Sequence, residues 1–234
     1  MKSLFAVLFG AALAFAGATG GRAADAPPRD QGPVYVTTFV EVTPAATAQT
    51  LGLLKTYREA ARKEAGAMTS DVYQELGMPS RFVSNEVWRD WAAYDDHLKA
   101  AARAQLFQAL LPIEFGPPDT RPHLLHFGAP GGGAAGPGSV IIFSHLDVTP
   151  NAIPRLLEIM KPLGEGTAKE TGMQKYQIIR QAPGVGNHLR LFEEWASEKD
   201  WDAHNLAAHT QAFRKELAPM LGTPYDQRKY QVLN

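Results

Sequence analysis

The sequence predicts an α+β fold made of two tandem ferredoxin-like (β-α-β-β-α-β) repeats packed sheet to sheet. Two observations predict it. The first is internal repetition: Val34-Tyr-Val-Thr-Thr-Phe-Val-Glu-Val-Thr-Pro44 returns as Val140-Ile-Ile-Phe-Ser-His-Leu-Asp-Val-Thr-Pro150 at a shift of 106 positions. Lys55, Glu59, Glu64 and Gly66 recur at the same shift as Lys161, Glu165, Glu170 and Gly172. Beyond them the shift is 107: Glu86, Trp88, Asp95, His97, Leu110, Pro112 and Arg121 meet Glu193, Trp195, Asp202, His204, Leu217, Pro219 and Arg228. A fixed period of this length marks one small domain duplicated. The second is the order of hydrophobic patterns inside each copy, which follows the split β-α-β motif. Such a sheet carries both helices on one face and needs a cover on the other, which a tethered twin supplies.

In copy one, 34–42 is rich in β-branched and aromatic residues and reads as a strand. Thr43-Pro44 supplies an N-cap and a proline at the first helical position, opening a helix that Gly66 ends near 65. Strands at 68–76 and 82–88 flank Gly77-Met-Pro-Ser-Arg81, which has hairpin-turn chemistry. Asp90 caps a second helix predicted to run unbroken to about 111, and 123–127 closes the sheet. Copy two repeats the order, with strands at 139–148, 173–181, 188–195 and 228–233 and helices at 151–170 and 198–217. Ser197 stands in the capping place of Asp90. The domains are therefore 34–127 and 139–234, joined by the Gly/Pro/Ala linker 128–138, which lacks a phosphate-loop Gly-Lys-Ser/Thr signature.

Residues 1–26 read as a secretory signal peptide: Lys2, an apolar run from Leu4 to Ala16, and small residues for cleavage at Gly21-Arg-Ala23 or Ala24-Asp-Ala26. The apolar run falls short of the ~20 residues of a spanning helix, so a periplasmic or secreted protein without stable membrane association is expected. The formal net charge is −1 with signs interspersed, which offers no footprint for nucleic acid. Cysteine is absent, which excludes disulfides, thiolate metal sites and cysteine nucleophiles.

Glu194-Trp-Ala-Ser-Glu-Lys-Asp-Trp-Asp-Ala-His204-Asn-Leu-Ala-Ala-His209-Thr-Gln-Ala-Phe213 resembles the strand-to-helix signature of the antibiotic biosynthesis monooxygenase (ABM) family. Glu86-Val-Trp88-Arg-Asp-Trp-Ala-Ala-Tyr-Asp-Asp-His97 is its counterpart in copy one. The resemblance implies a dimeric α+β barrel, formed within the chain or with a second chain as a homodimer, and a pocket between sheet and helices. It also implies oxygen chemistry on a quinol, phenol or anthrone without a cofactor, or, as the alternative within this fold, binding and breakdown of haem.

On one continuous helix, Trp91, Tyr94, Leu98, Ala102, Leu106 and Ala109 share a stripe. In copy two the stripe is Glu198, Trp201, Asn205, His209, Phe213 and Glu216. His209 thus points to the pocket where copy one has only Ala102, which makes it the first candidate for a general base. His204 and its repeat His97 lie at the flank of the stripe. His145, where copy one has Phe39, lines the same pocket if its face is inward. The catalytic candidates are therefore His209, His204 and His145. The candidates for contacting an aromatic substrate are Trp195, Phe213, Trp201, Tyr176, Trp88, His97 and Tyr73. His204 and His209 are spaced by five, against the three or four that places two ligands on one helical face, so no metal site is expected. Asn187-His188 follows a Pro-Gly-Val-Gly turn and reads as part of it. A binding module without activity is the third reading, since a copy kept only for packing could lose its chemistry.

Overall fold

A computed structural model describes residues 32–128, 135–136, 138–182 and 186–233. Residues 1–26, read from the sequence as a signal peptide, and most of the linker lie outside them. Among the described residues no helix is long and apolar enough to cross a membrane.

Copy one contributes β1 (Val34–Glu41), α1 (Thr47–Ala61), β2 (Ala67–Glu75), β3 (Arg81–Trp88), α2 (Trp91–His97), α3 (Ala101–Leu110) and β4 (Asp119–Gly128). Copy two contributes β5 (Val140–Asp147), α4 (Ile153–Thr167), β6 (Met173–Gln181), β7 (His188–Trp195), α5 (Glu198–Leu206), α6 (Ala208–Leu217) and β8 (Asp226–Val232). Within each copy the strand order is 4-1-3-2. The free edges then join across the copies, β2 to β8 and β4 to β6, and close an eight-stranded antiparallel barrel. The extra residue of copy two falls between β6 and β7.

Strand alternation sorts side chains into two layers. Val34, Val36 and Val40 of β1 face the helices: Val34 and Val36 pack with Trp88 and Tyr94, and Val40 joins Leu54, Val72, Phe82, Leu106 and Leu110 in the main core of copy one. Leu146, Leu156, Met160, Ile178, Leu191 and Phe213 form its equivalent in copy two. The opposite faces meet in the barrel lumen, where Tyr73, Val83, Ile141, Phe143, Phe192 and Tyr230 pack together. The lumen is what pairs the copies, because neither sheet could leave that face in water.

Asp90 and Ser197 cap as expected, accepting from the backbone N–H of Ala93 (2.8 Å) and Asp200 (3.3 Å). Thr43 and Thr149 precede a short 3-10 turn and make no side-chain capping bond. The larger difference lies in the second helix of each copy, which is two helices. Ala100 (φ −64°, ψ 138°) and Ala207 (φ −63°, ψ 142°) are extended and break the run. The single-helix wheel therefore fails: Leu98, placed on its buried stripe, is 40% exposed, while His97 and His204, placed on its flank, are buried. Each break forfeits intrahelical hydrogen bonds at about 1 kcal/mol apiece, against stronger bonds from the buried imidazoles to carboxylates.

Candidate functional site

In copy one the end of α2 drives His97 beneath the sheet-facing side of α1. Its Nδ1 meets Glu64 Oε2 at 2.9 Å and its Nε2 meets the Tyr57 hydroxyl at 2.9 Å. A carboxylate only accepts, so Nδ1 carries the proton and Nε2 accepts from the phenol. Glu86 Oε2 stands 3.5 Å from Nε2 and is held by the Trp88 indole N–H (3.3 Å), with Ser84 donating to its other oxygen. Trp88 stacks on the imidazole at 4.3 Å. Gly66 permits this closeness: at φ +89° it sits where a Cβ would lie 2.5 Å from that of Ala93, and so brings Glu64 against α2. Burial, then Glu86, pushes the Tyr57 phenol far above its ordinary range, so it stays protonated.

Copy two keeps the frame and changes the filling. His204 Nδ1 meets Glu170 Oε2 at 2.6 Å, and Trp195 donates to Glu193 Oε2 at 2.9 Å. Leu163 replaces Tyr57 at the same repeat position, and Thr210 approaches the His204 ring instead (3.3 Å). Burial, opposed by the Trp195 bond and Arg214, pushes the Glu193 carboxyl up to about 7. Burial, then His209 and Arg214, pushes His204 down to about 4.

Beside the His97 cluster the helix face of copy one is open. A groove of about 360 Å³ between α1 and α3 is lined by Leu53, Thr56, Tyr57, Ala60, Ala102 and Leu106, among others. In copy two the equivalents of Ala60 and Ala102 are Gly166 and His209. A Cβ on Gly166 would lie 2.8 Å from the His209 ring, so the imidazole takes the room that the glycine leaves. The expected copy-two pocket at His209 is thus filled by His209 itself, whose Nε2 lies 3.6 Å from Glu170 Oε1.

The remaining candidates scatter. Trp88 and Trp195 are fully buried and offer no face to a ligand, while Phe213 and Tyr176 belong to the copy-two core. Trp201 packs outside on Val140, Ile142 and Trp195. Tyr73 faces the lumen, on the other side of the sheet from the helices. So does His145, 5.2 Å from Phe39 and 5.6 Å from His188, which separates it from His209. His188 is no turn residue: it opens β7 and points into the same lumen. Tyr57, Glu64, Glu86, Glu170 and Glu193 complete the sites and were not singled out by sequence. The four glutamates do recur at the repeat shifts, a signal that was there to use.

The lumen histidines surround Arg190, which is fully buried and lies over the Phe39 ring at 4.5 Å. Burial, then Arg190, Arg228 and Arg121, pushes His145 down to about 3. A base whose folded pKa lies below its unfolded value destabilises the fold as pH drops beneath ~6.5, because the unfolded chain takes the proton first. Glu193 titrates in the opposite sense, so the contribution is best isolated by difference. His145→Phe, which copies Phe39, should lose stability between pH 7 and 5 less steeply than the wild type, by about 1 kcal/mol per pH unit. Denaturant midpoints at the two pH values measure it, and parallel slopes would refute it.

Two ferredoxin-like halves closing one barrel, each with a His-Glu-Trp cluster at the same place, define a tandem dimeric α+β barrel. The profile of the antibiotic biosynthesis monooxygenase (ABM) family matches residues 33–109 and again 139–216. The chain belongs to that family. It is similar in structure to a protein of Fusobacterium nucleatum proposed to be a monooxygenase (TM-score 0.76, 17% identity, covering 87% of this chain and 93% of that one). An anthrone oxidase-like protein aligns with a TM-score of 0.69 at 16% identity, over 88% and 92% of the two chains. A ferredoxin-fold protein of Listeria monocytogenes related to these monooxygenases aligns at 0.54 and 12%, over 87% and 96%. At such identities the likeness carries the fold alone. No curated protein matches the sequence.

Proposed function

We propose that the protein is an exported monooxygenase that oxidises a quinol, phenol or anthrone-type aromatic with O2, without a cofactor, in the groove of copy one. The observation that carries this reading is the groove wall itself: Tyr57 lines it and its hydroxyl rests on His97, which rests on Glu64. The groove is mostly apolar, as a planar aromatic requires. A substrate hydroxyl beside Tyr57 passes its proton to the phenol oxygen while Tyr57 gives its own to His97 Nε2. The imidazolium then lies between Glu64 and Glu86, whose charges stabilise it. The substrate anion supplies the electrons for reaction with O2. For an anthrone the ring CH2 becomes a carbonyl, one oxygen atom stays on carbon and the other leaves as water.

Export rests on the signal-like residues 1–26. The haem reading, with His204 or His209 as axial ligand, finds less support, since the His209 ring itself fills the space beside Gly166 and the lining of the copy-one groove contains no histidine. Oxygen uptake by residues 27–234 with a hydroxyanthrone and a naphthoquinol, no cofactor added, tests the proposal. Uptake above the rate without protein is expected; none with either substrate sinks it.

A further inference from the structure

The same duplication that leaves a groove in copy one builds a different site in copy two. Glu170, His204 and His209 bring three ligand atoms within 4.8 Å of one another. The two oxygens of Glu170 divide between the imidazoles, Oε2 at 2.6 Å from His204 Nδ1 and Oε1 at 3.6 Å from His209 Nε2. The spacing of five that argues against a shared face presumes one helix. Ala207 ends α5 and starts α6 afresh, and the phase change swings both rings onto the same carboxylate.

From this geometry we infer that copy two holds a first-row divalent transition metal on Glu170, His204 and His209. Two neutral imidazoles and one carboxylate suit Zn(II), Fe(II), Co(II) or Mn(II) and disfavour the hard cations Mg(II) and Ca(II), which take all-oxygen sites. A metal about 2.1 Å from each donor sets the donors about 3–3.5 Å apart, so a separation of up to 4.8 Å closes by about 1.3–1.8 Å while the 2.6 Å contact opens slightly. His209 and Glu170, with side chains 26% and 18% exposed, can make that adjustment and admit the ion. The Thr210 hydroxyl, 3.4 Å from His204 Nε2, holds the buried ring from behind, and the Glu193 carboxylate stands farther off at 4.0 Å.

Copy one is the built-in control. It has the carboxylate and the first histidine, Glu64 and His97, but Ala102 in place of His209. Tyr57 occupies the second nitrogen of its imidazole. Copy two changes these positions together: a leucine removes the tyrosine, a histidine replaces the alanine, and Gly166 clears space for the new ring. Copy two thus brings together the carboxylate, both imidazoles and the room for the second ring, where copy one has only the carboxylate and one imidazole, Glu64 and His97.

This inference is independent of the chemistry proposed for copy one, and its test reads binding alone. Titration of the protein with Co(II) should saturate at one ion per chain with visible d–d absorption, displaced by Zn(II). His209→Ala, which installs the residue copy one already folds with, should weaken binding by about 100-fold or more. Glu170→Gln, which keeps size and a hydrogen bond, should weaken it as well. No saturable binding by the wild type, or wild-type affinity in both variants, would overturn the site. Displacement by Mg(II) as readily as by Zn(II) would overturn the metal class.

Discussion

Replacing Tyr57 with phenylalanine should lower the oxygen-uptake turnover with a hydroxyanthrone by about 10²–10⁴-fold, the range for loss of a positioned proton-transfer group. The change removes one oxygen atom from the groove wall and nothing from its shape. Copy two shows that an apolar side chain is tolerated here, since Leu163 occupies the equivalent place in its core. His97 keeps its Glu64 partner at 2.9 Å and its stack on Trp88, so thermal stability should fall by little more than one hydrogen bond, about 1 kcal/mol. The effect belongs in turnover rather than in KM, because the apolar walls that bind the ring are untouched. Substituting His209 should leave this activity in place, since that ring lies in the other copy. Uptake undiminished in Tyr57→Phe would remove the relay and leave the groove without a chemical role. Loss of uptake in His209→Ala instead would move the oxidation to the copy-two site.

What the sequence revealed and what it concealed have a common physical origin. Repetition and alternation are local patterns, so the strands emerged close to their true ends: 173–181 and 188–195 match β6 and β7, and 34–42 exceeds β1 by one residue. The helix breaks at Ala100 and Ala207 carry neither glycine nor proline, and the apolar spacing runs through them without interruption. They are set by what the helices dock against. Reading each pair as one helix put His97 and His204 on the flank, where the structure buries both. Tyr57 does not recur, since copy two has Leu163 in its place, so repetition carries no signal for it. His145 was legible as a strand residue, but which face looks inward depends on the closure of the barrel.

Dividing the chain between the copies should produce two fragments with opposite fates. A fragment of residues 32–128 cannot remain a folded monomer. Alone it exposes Tyr35, Tyr73, Val83 and Val87 on one sheet face and leaves the edges of β2 and β4 unpaired. Each such side chain is worth about 1.5–3 kcal/mol of burial, together comparable to the 5–15 kcal/mol that holds a whole domain folded. It has a way out. In the intact chain β2 pairs with β8, the repeat of β4, so β2 of one fragment can pair with β4 of another and close a homodimer. Copy two, residues 138–233, has the same edges but a different lumen. Val83 of copy one corresponds to Arg190, and the Phe39 that now covers Arg190 corresponds to His145. A homodimer of copy two would therefore enclose two Arg190 charges, each facing a histidine instead of an aromatic ring, with only Asp226 in the place of Asp119, which stands 4.0 Å from Arg190 in the intact chain; burying such loosely paired charges is costly. Analytical ultracentrifugation should find copy one as a folded dimer and copy two unfolded or aggregated. Mixing the two should restore a one-to-one complex, since only the unequal pair gives Arg190 its Phe39. Stable folded monomers of either fragment would show that the lumen does not hold the copies together. A copy-two homodimer as stable as that of copy one would show that Arg190 does not dictate which halves pair.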